Sequence, residues 1–425
     1  FSSRRRHTRF MSVSGLGDVY KRQPFHQALV GAITHLLAIF VPMVTPALIV
    51  GAALQLSAET TAYLVSMAMI ASGIGTWLQV NRYGIVGSGL LSIQSVNFSF
   101  VTVMIALGSS MKSDGFHEEL IMSSLLGVSF VGAFLVVGSS FILPYLRRVI
   151  TPTVSGIVVL MIGLSLIKVG IIDFGGGFAA KSSGTFGNYE HLGVGLLVLI
   201  VVIGFNCCRS PLLRMGGIAI GLCVGYIASL CLGMVDFSSM RNLPLITIPH
   251  PFKYGFSFSF HQFLVVGTIY LLSVLEAVGD ITATAMVSRR PIQGEEYQSR
   301  LKGGVLADGL VSVIASAVGS LPLTTFAQNN GVIQMTGVSS RYVGRTIAVM
   351  LGLFPMIGGF FTTIPSAVLG GAMTLMFSMI AIAGIRIIIT NGLKRRETLI
   401  VATSLGLGLG VSYDPEIFKI LPASI

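Results

Sequence analysis

Three carboxylates interrupt stretches that are otherwise apolar: Glu276, Asp280 and Asp308. Glu276 and Asp280 are four residues apart and so share one face of a helix. A charge at the centre of a bilayer costs about 2.5–3.5 kcal/mol on insertion scales. Acids kept there against that cost are candidates for work, and desolvation with mutual repulsion lets such a cluster hold a proton. Asp308 has a second reading, as a brace for neighbouring backbone. His35, beside Thr34, is a lone helical histidine that either makes a structural hydrogen bond or acts near a site indirectly. Asn97 and Phe98 end a polar, β-prone stretch, where the aromatic ring could stack on a planar ligand or simply pack. The four cysteines (Cys207, Cys208, Cys223, Cys231) have no metal-ligand spacing. No phosphate loop and no nucleophile–base pair stands out, so the acids point away from hydrolysis, ATP-driven work and metal chemistry.

The elements that must position these residues are membrane helices. Of 425 residues, 53% are hydrophobic and 10% charged, against roughly 25% charged in a soluble domain. That balance excludes a soluble enzyme, a disordered chain and a nucleic-acid partner, despite the net charge of +11. Residues 1–23 carry six basic residues and one acid, or +5, and the remaining chain carries +6. This leader differs in composition from the rest of the chain, lacks a signal-peptide core, and resembles translated sequencing-adapter read-through; it is read as non-native. A spanning helix needs about 20 apolar residues. Thirteen candidate segments lie near 28–56, 62–80, 84–108, 120–144, 150–171, 192–206, 215–235, 261–287, 302–320, 323–338, 343–361, 366–389 and 397–412. Loops leaving even-numbered spans hold fourteen Lys or Arg (Arg82 to Arg396), and those leaving odd-numbered spans hold four: Lys112, Lys181, Arg241 and Lys253. The positive-inside rule then places the N-terminus in the cytoplasm.

The chain also repeats itself at an offset of seven spans. Val86-Gly87-Ser88 precedes the polar stretch 92–98, and Val318-Gly319-Ser320 precedes 324–329. Pro152 with Gly156 opens span 5, as Pro365 with Gly370 opens span 12. An odd-numbered repeat must sit inverted in the membrane, an arrangement that secondary transporters use to build a midplane site from broken helices. Stretches 92–98 and 324–329 are therefore read as short extended segments, each followed by a half-helix, with free backbone groups for a flat polar ligand. The half-helix start near Gln328–Gly331 adds a partial positive charge.

Residues 328–337, QNNGVIQMTG, carry the pattern Gln, Asn, any, Gly, four residues, Thr, Gly. This resembles the motif of the nucleobase–ascorbate transporter (nucleobase:cation symporter-2) family. The resemblance runs from about Pro24 to Ile425 and includes LLSIQSVNFSF, LEAVGDITAT and LKGGVLADG. It implies an all-α polytopic fold of fourteen spans in a 7+7 inverted repeat, about thirteen of them present here. The implied core comprises 24–144 (spans 1–4) and 236–362 (spans 8–11). The implied gate comprises 145–235 (spans 5–7) and 363–425 (spans 12–13, incomplete). Span 11 reads about a turn short near Met350–Leu351. The resemblance assigns substrate binding to Glu276, Gln328, Asn329, Phe98 and Asn97. It assigns support or proton coupling to Asp280, Asp308 and His35, and motif roles to Gly331, Thr336 and Gly337. The implied activity is proton-coupled uptake of xanthine or a related oxopurine by a multi-pass inner-membrane homodimer, through elevator-like alternating access. The proton is the coupling ion, with no other cofactor and no metal. Uric acid or a broader purine range is the nearest alternative, and an anion exchanger or channel on a similar repeat the more distant one.

Overall fold

Backbone polar groups facing lipid find partners only within their own helix, and the long apolar runs fold accordingly. The computed structural model describes residues 25–146, 152–208, 210, 213, 216–237, 248–326, 329–330, 332–333, 338–353, 363–389 and 392–413. In chain order these form α1 (Phe25–Leu54), α2 (Ala58–Asn81), β1 (Gln94–Val96), α3 (Val101–Ser113) and α4 (Glu118–Leu146). Then come α5 (Pro152–Phe174), α6 (Gly177–Ser183), α7 (Tyr189–Asn206), α8 (Gly217–Cys231), α9 (Phe260–Val287) and α10 (Gly294–Val318). β2 (Leu323–Thr325), α11 (Arg341–Leu353), α12 (Ser366–Ile389) and α13 (Arg395–Tyr413) complete the order. Six helices among the described residues are long and apolar enough to cross a membrane. Stops and starts follow local chemistry: Ser57 caps α2 by accepting from the Thr60 amide at 3.2 Å. The leader, residues 1–23, and the part of span 11 after Leu353 lie outside the described residues, as do Arg147, Arg148, Arg209, Arg214 and Arg241.

Packing reproduces the inverted repeat. Under the seven-span offset α1 corresponds to α9, α2 to α10, α4 to α11 and α5 to α12. Helix α4 packs on α10 as α11 packs on α2; α4 touches α9 as α11 touches α1; α1 meets α2 as α9 meets α10. Among the contacts that map onto themselves, alongside α2 with α10, are β1 with β2, and α5 with α12. At the second, Gly156 near the start of α5 lies against Gly384 and Ile388 late in α12. Gly370 near the start of α12 has no room for a Cβ beside Asp173 and Phe174, where α5 ends. Small residues let such helices approach closely.

Three details differ from the sequence reading. Helix α6 falls where a plain loop was expected. Helix α10 begins at Gly294, eight residues before its apolar run, because polar first turns extend a helix beyond its hydrophobic stretch. Arg300, counted among loop charges, is therefore helical and only 1% exposed. Its guanidinium pairs with Glu296 at 2.6 Å and donates to the Ser88 carbonyl at 2.9 Å, fixing the loop that leads into β1.

Candidate functional site

Both expected extended segments form, and they pair with one another. β1 and β2 run antiparallel with Gln94 opposite Thr325, Ser95 opposite Thr324 and Val96 opposite Leu323. The ladder continues through Phe326 N–H to the Ile93 carbonyl and Asn97 N–H to the Pro322 carbonyl, both 2.9 Å. Strands of three residues hold here because helices cover them: all six ladder residues are buried.

Asp308 of α10 lies against this ladder. It accepts from Gln94 Nε2 at 2.6 Å, Gln79 Nε2 at 2.7 Å, Thr324 Oγ1 at 3.0 Å and the Thr325 amide at 3.2 Å. Gln79 of α2 also donates to the Gly304 carbonyl and accepts from the Ser88 amide. The geometry is that of a brace joining α2, α10, β1 and β2, with Asp308 2% exposed.

Glu276 of α9 reaches the turn that follows β1. Asn97 Nδ2 donates to its Oε2 at 2.9 Å, and Ser99 Oγ lies 2.8 and 2.9 Å from its two oxygens. Asn97 Oδ1 in turn accepts from the Ser99 amide at 2.8 Å, capping the short 3-10 turn Phe98–Phe100. Phe98, between them in sequence, is buried and meets Phe377 of α12 edge to face at 5.5 Å. Asp280 lies one turn beyond Glu276 on the same helix. Its backbone carbonyl accepts from Thr284 Oγ1 at 2.7 Å.

On the β2 side, Asn329 uses both ends of its amide. His35 Nδ1 lies 2.7 Å from its Oδ1, and its Nδ2 donates to the Leu91 carbonyl at 2.7 Å. Its neighbour Asn330 has its side-chain amide 2.6 Å from Thr284 Oγ1, tying the segment to α9. Gln328, Gly331, Thr336 and Gly337 lie outside the described residues. The fold thus gathers Glu276, Asn97 and Phe98, holds Asp308 in the ladder, and joins His35 to Asn329. Sequence reasoning passed over Ser99, Gln79 and Gln94. Gln79 is an amide within an apolar helix, and Asn97-Phe98-Ser99 has the spacing of an Asn-capped turn; either signal could have found them. Ser95 Oγ, Thr325 Oγ1 and Gln94 Oε1 are buried without a partner among the described residues.

The arrangement sets a carboxylate, an aromatic ring and buried hydroxyls around the two broken segments. Known proteins resemble the chain in sequence and in fold. A family model described as "Permease family" matches residues 26–417. Xanthine permease XanQ of Escherichia coli (strain K12) is 99% identical over 411 residues, covering 96% of this chain and 88% of the relative. Xanthine permease XanP of the same strain is 44% identical, covering 94% and 88%. Among solved structures, the transmembrane domain of a cyanobacterial bicarbonate transporter, BicA, superposes with a TM-score of 0.65 at 16% identity, over 92% of this chain and 97% of that one. That likeness establishes the inverted-repeat fold. The protein is a multi-pass membrane transporter, not an enzyme, and it belongs to the permease family.

Proposed function

We propose that this protein takes up xanthine together with a proton across the inner membrane, by alternating access. The observation that carries this reading is Glu276 held by Asn97 and Ser99 beside the Phe98 ring, in a chain 99% identical to a xanthine permease. A carboxylate accepts from ring N–H groups of an oxopurine, and amides both donate and accept along its edges. Gln328 is assigned the ring edge, with Phe98 and Asn97 beside it. Asp308 and Asn329, occupied by protein partners, shape the site, and Asp280 and His35 support the proton step. Proton and substrate binding are linked because coupling between two ligands is reciprocal. The close pairing of α5 with α12, apart from the packing of α1–α4 with α9–α11, supports a gate and a moving core in elevator fashion. The excess of Lys and Arg in alternate loops supports a cytoplasmic N-terminus. Family resemblance supports a homodimer.

The test is labelled-xanthine uptake at several pH values, with and without a protonophore, competed by urate, guanine and uracil. Accumulation that collapses with the gradient, is lost in Glu276→Gln and is competed only by close xanthine analogues supports the reading. Uptake indifferent to the gradient removes symport, and equal competition by urate moves the substrate to a broader purine range.

A further inference from the structure

Asn97 and Ser99 both hold Glu276, but they differ in what they can do when its charge changes. A charged carboxylate only accepts; a protonated one must also donate. Asn97 is fixed as a donor. Its Oδ1 already takes the Ser99 amide at 2.8 Å, and turning its amide over would set two N–H groups against each other. Ser99 carries no such restraint, since a hydroxyl has one proton and two lone pairs and rotates to suit. Its Oγ stands 2.8 Å from Glu276 Oε1 and 2.9 Å from Oε2, so the same atom can give a proton to the carboxylate or receive one from the acid without moving. The other titratable groups assigned to the site are Asp280, one turn away on the same helix, Asp308 on α10 and His35 on α1. The first shares the helix face of Glu276, the second is engaged in the ladder and the third is bound to Asn329. The turn at 97–100 and α12 bring uncharged Asn97, Phe98, Ser99 and Phe377.

We propose that Ser99 is a positioning residue for the proton step: its hydroxyl donates to Glu276 while the carboxylate is charged and reverses to accept once Glu276 carries a proton. No covalent bond other than the carboxyl O–H forms or breaks. The proton arrives from the aqueous phase open to the site and leaves to the opposite one. This rests on the reading that Glu276 carries the coupled proton.

The experiment is the pH profile of labelled-xanthine uptake for the full chain and for Ser99→Ala, Ser99→Thr and Glu276→Gln. The hydroxyl's bond to a carboxylate is charge-assisted and stronger than its bond to a neutral acid. Ser99→Ala therefore loses more from the charged form, and the alkaline limb of its profile moves up by about half to one pH unit with a lower maximal rate. Ser99→Thr keeps a hydroxyl and returns the profile to that of the parent. An unchanged profile in Ser99→Ala, or an equal shift in Ser99→Thr, overturns the proposal. If Ser99→Ala fails to reach the membrane, Ser99→Cys replaces it: a weak thiol donor gives an intermediate shift, and a parental profile overturns the proposal. Proton-driven accumulation surviving in Glu276→Gln instead removes the underlying role of Glu276, whatever Ser99 does.

Discussion

Two of the places where the repeat meets itself are built from opposite materials. At the β1–β2 crossing the contact is polar: two amides, a threonine hydroxyl and a backbone N–H converge on Asp308. At the α5–α12 crossing it is glycine and aliphatic carbon, with Gly163 against Ala381 and Gly384 against Leu160. Hydrogen bonds specify one register and break when it changes. Smooth apolar faces tolerate small displacements at little directional cost. The first crossing suits a fixed platform for recognition, and the second a seam along which bodies adjust.

Four substitutions break or sharpen that contrast, in descending order of effect. Asp308→Ala leaves several buried donors unpaired at about 1–3 kcal/mol each, so the detergent-solubilised protein is expected to lose its cooperative melting transition or its expression. A melting temperature within a few degrees of the parent would remove the brace. Gly370→Val forces a branched side chain into the end of α5, an overpacking cost of about 1–3 kcal/mol; a lowered melting temperature is expected, and an unchanged one would show the seam to be loose. Asn329→Ala strips His35 and the Leu91 carbonyl of their partner at about 1–2 kcal/mol, with uptake retained at a raised KM. A lost maximal rate at unchanged KM would contradict the shaping role. Phe377→Leu removes the edge-to-face contact that joins the two crossings, worth about 0.5–1.5 kcal/mol, and is expected to weaken xanthine affinity a few-fold in competition assays while leaving stability nearly intact. Unchanged affinity would show that the two crossings are not joined through Phe98.

Much of this was legible in the sequence alone. Apolar runs located the helices because the bilayer allows the backbone no other partner, and the offsets Val86/Val318 and Gly156/Gly370 exposed the inverted repeat. The break at 92–98 was visible because Gln, Ser and Asn interrupt a hydrophobic run. The pairing of β1 with β2 was not: residues 94 and 325 are brought together by helices, and nothing local specifies their register. Arg300 misled for a related reason, since a basic residue outside an apolar run reads as a loop charge until its partner Glu296 and the Ser88 carbonyl are placed. Ser99 was hidden by its neighbours, because a serine in a polar stretch is inconspicuous until a carboxylate from α9 stands beside it.

The single ladder between residues 94–96 and 323–325 also has a consequence for synthesis. When the ribosome has delivered the first half, β1 already lies at membrane depth with its backbone donors and acceptors open. Counted from β1, more than two hundred residues must be made before Leu323–Thr325 can close them. Unpaired backbone in hydrocarbon costs several kcal/mol per group, and an open strand edge invites the wrong neighbour. The nascent first half is therefore not a finished unit waiting for a copy. It needs shelter, from its own helices or from the insertion machinery, until the later half arrives.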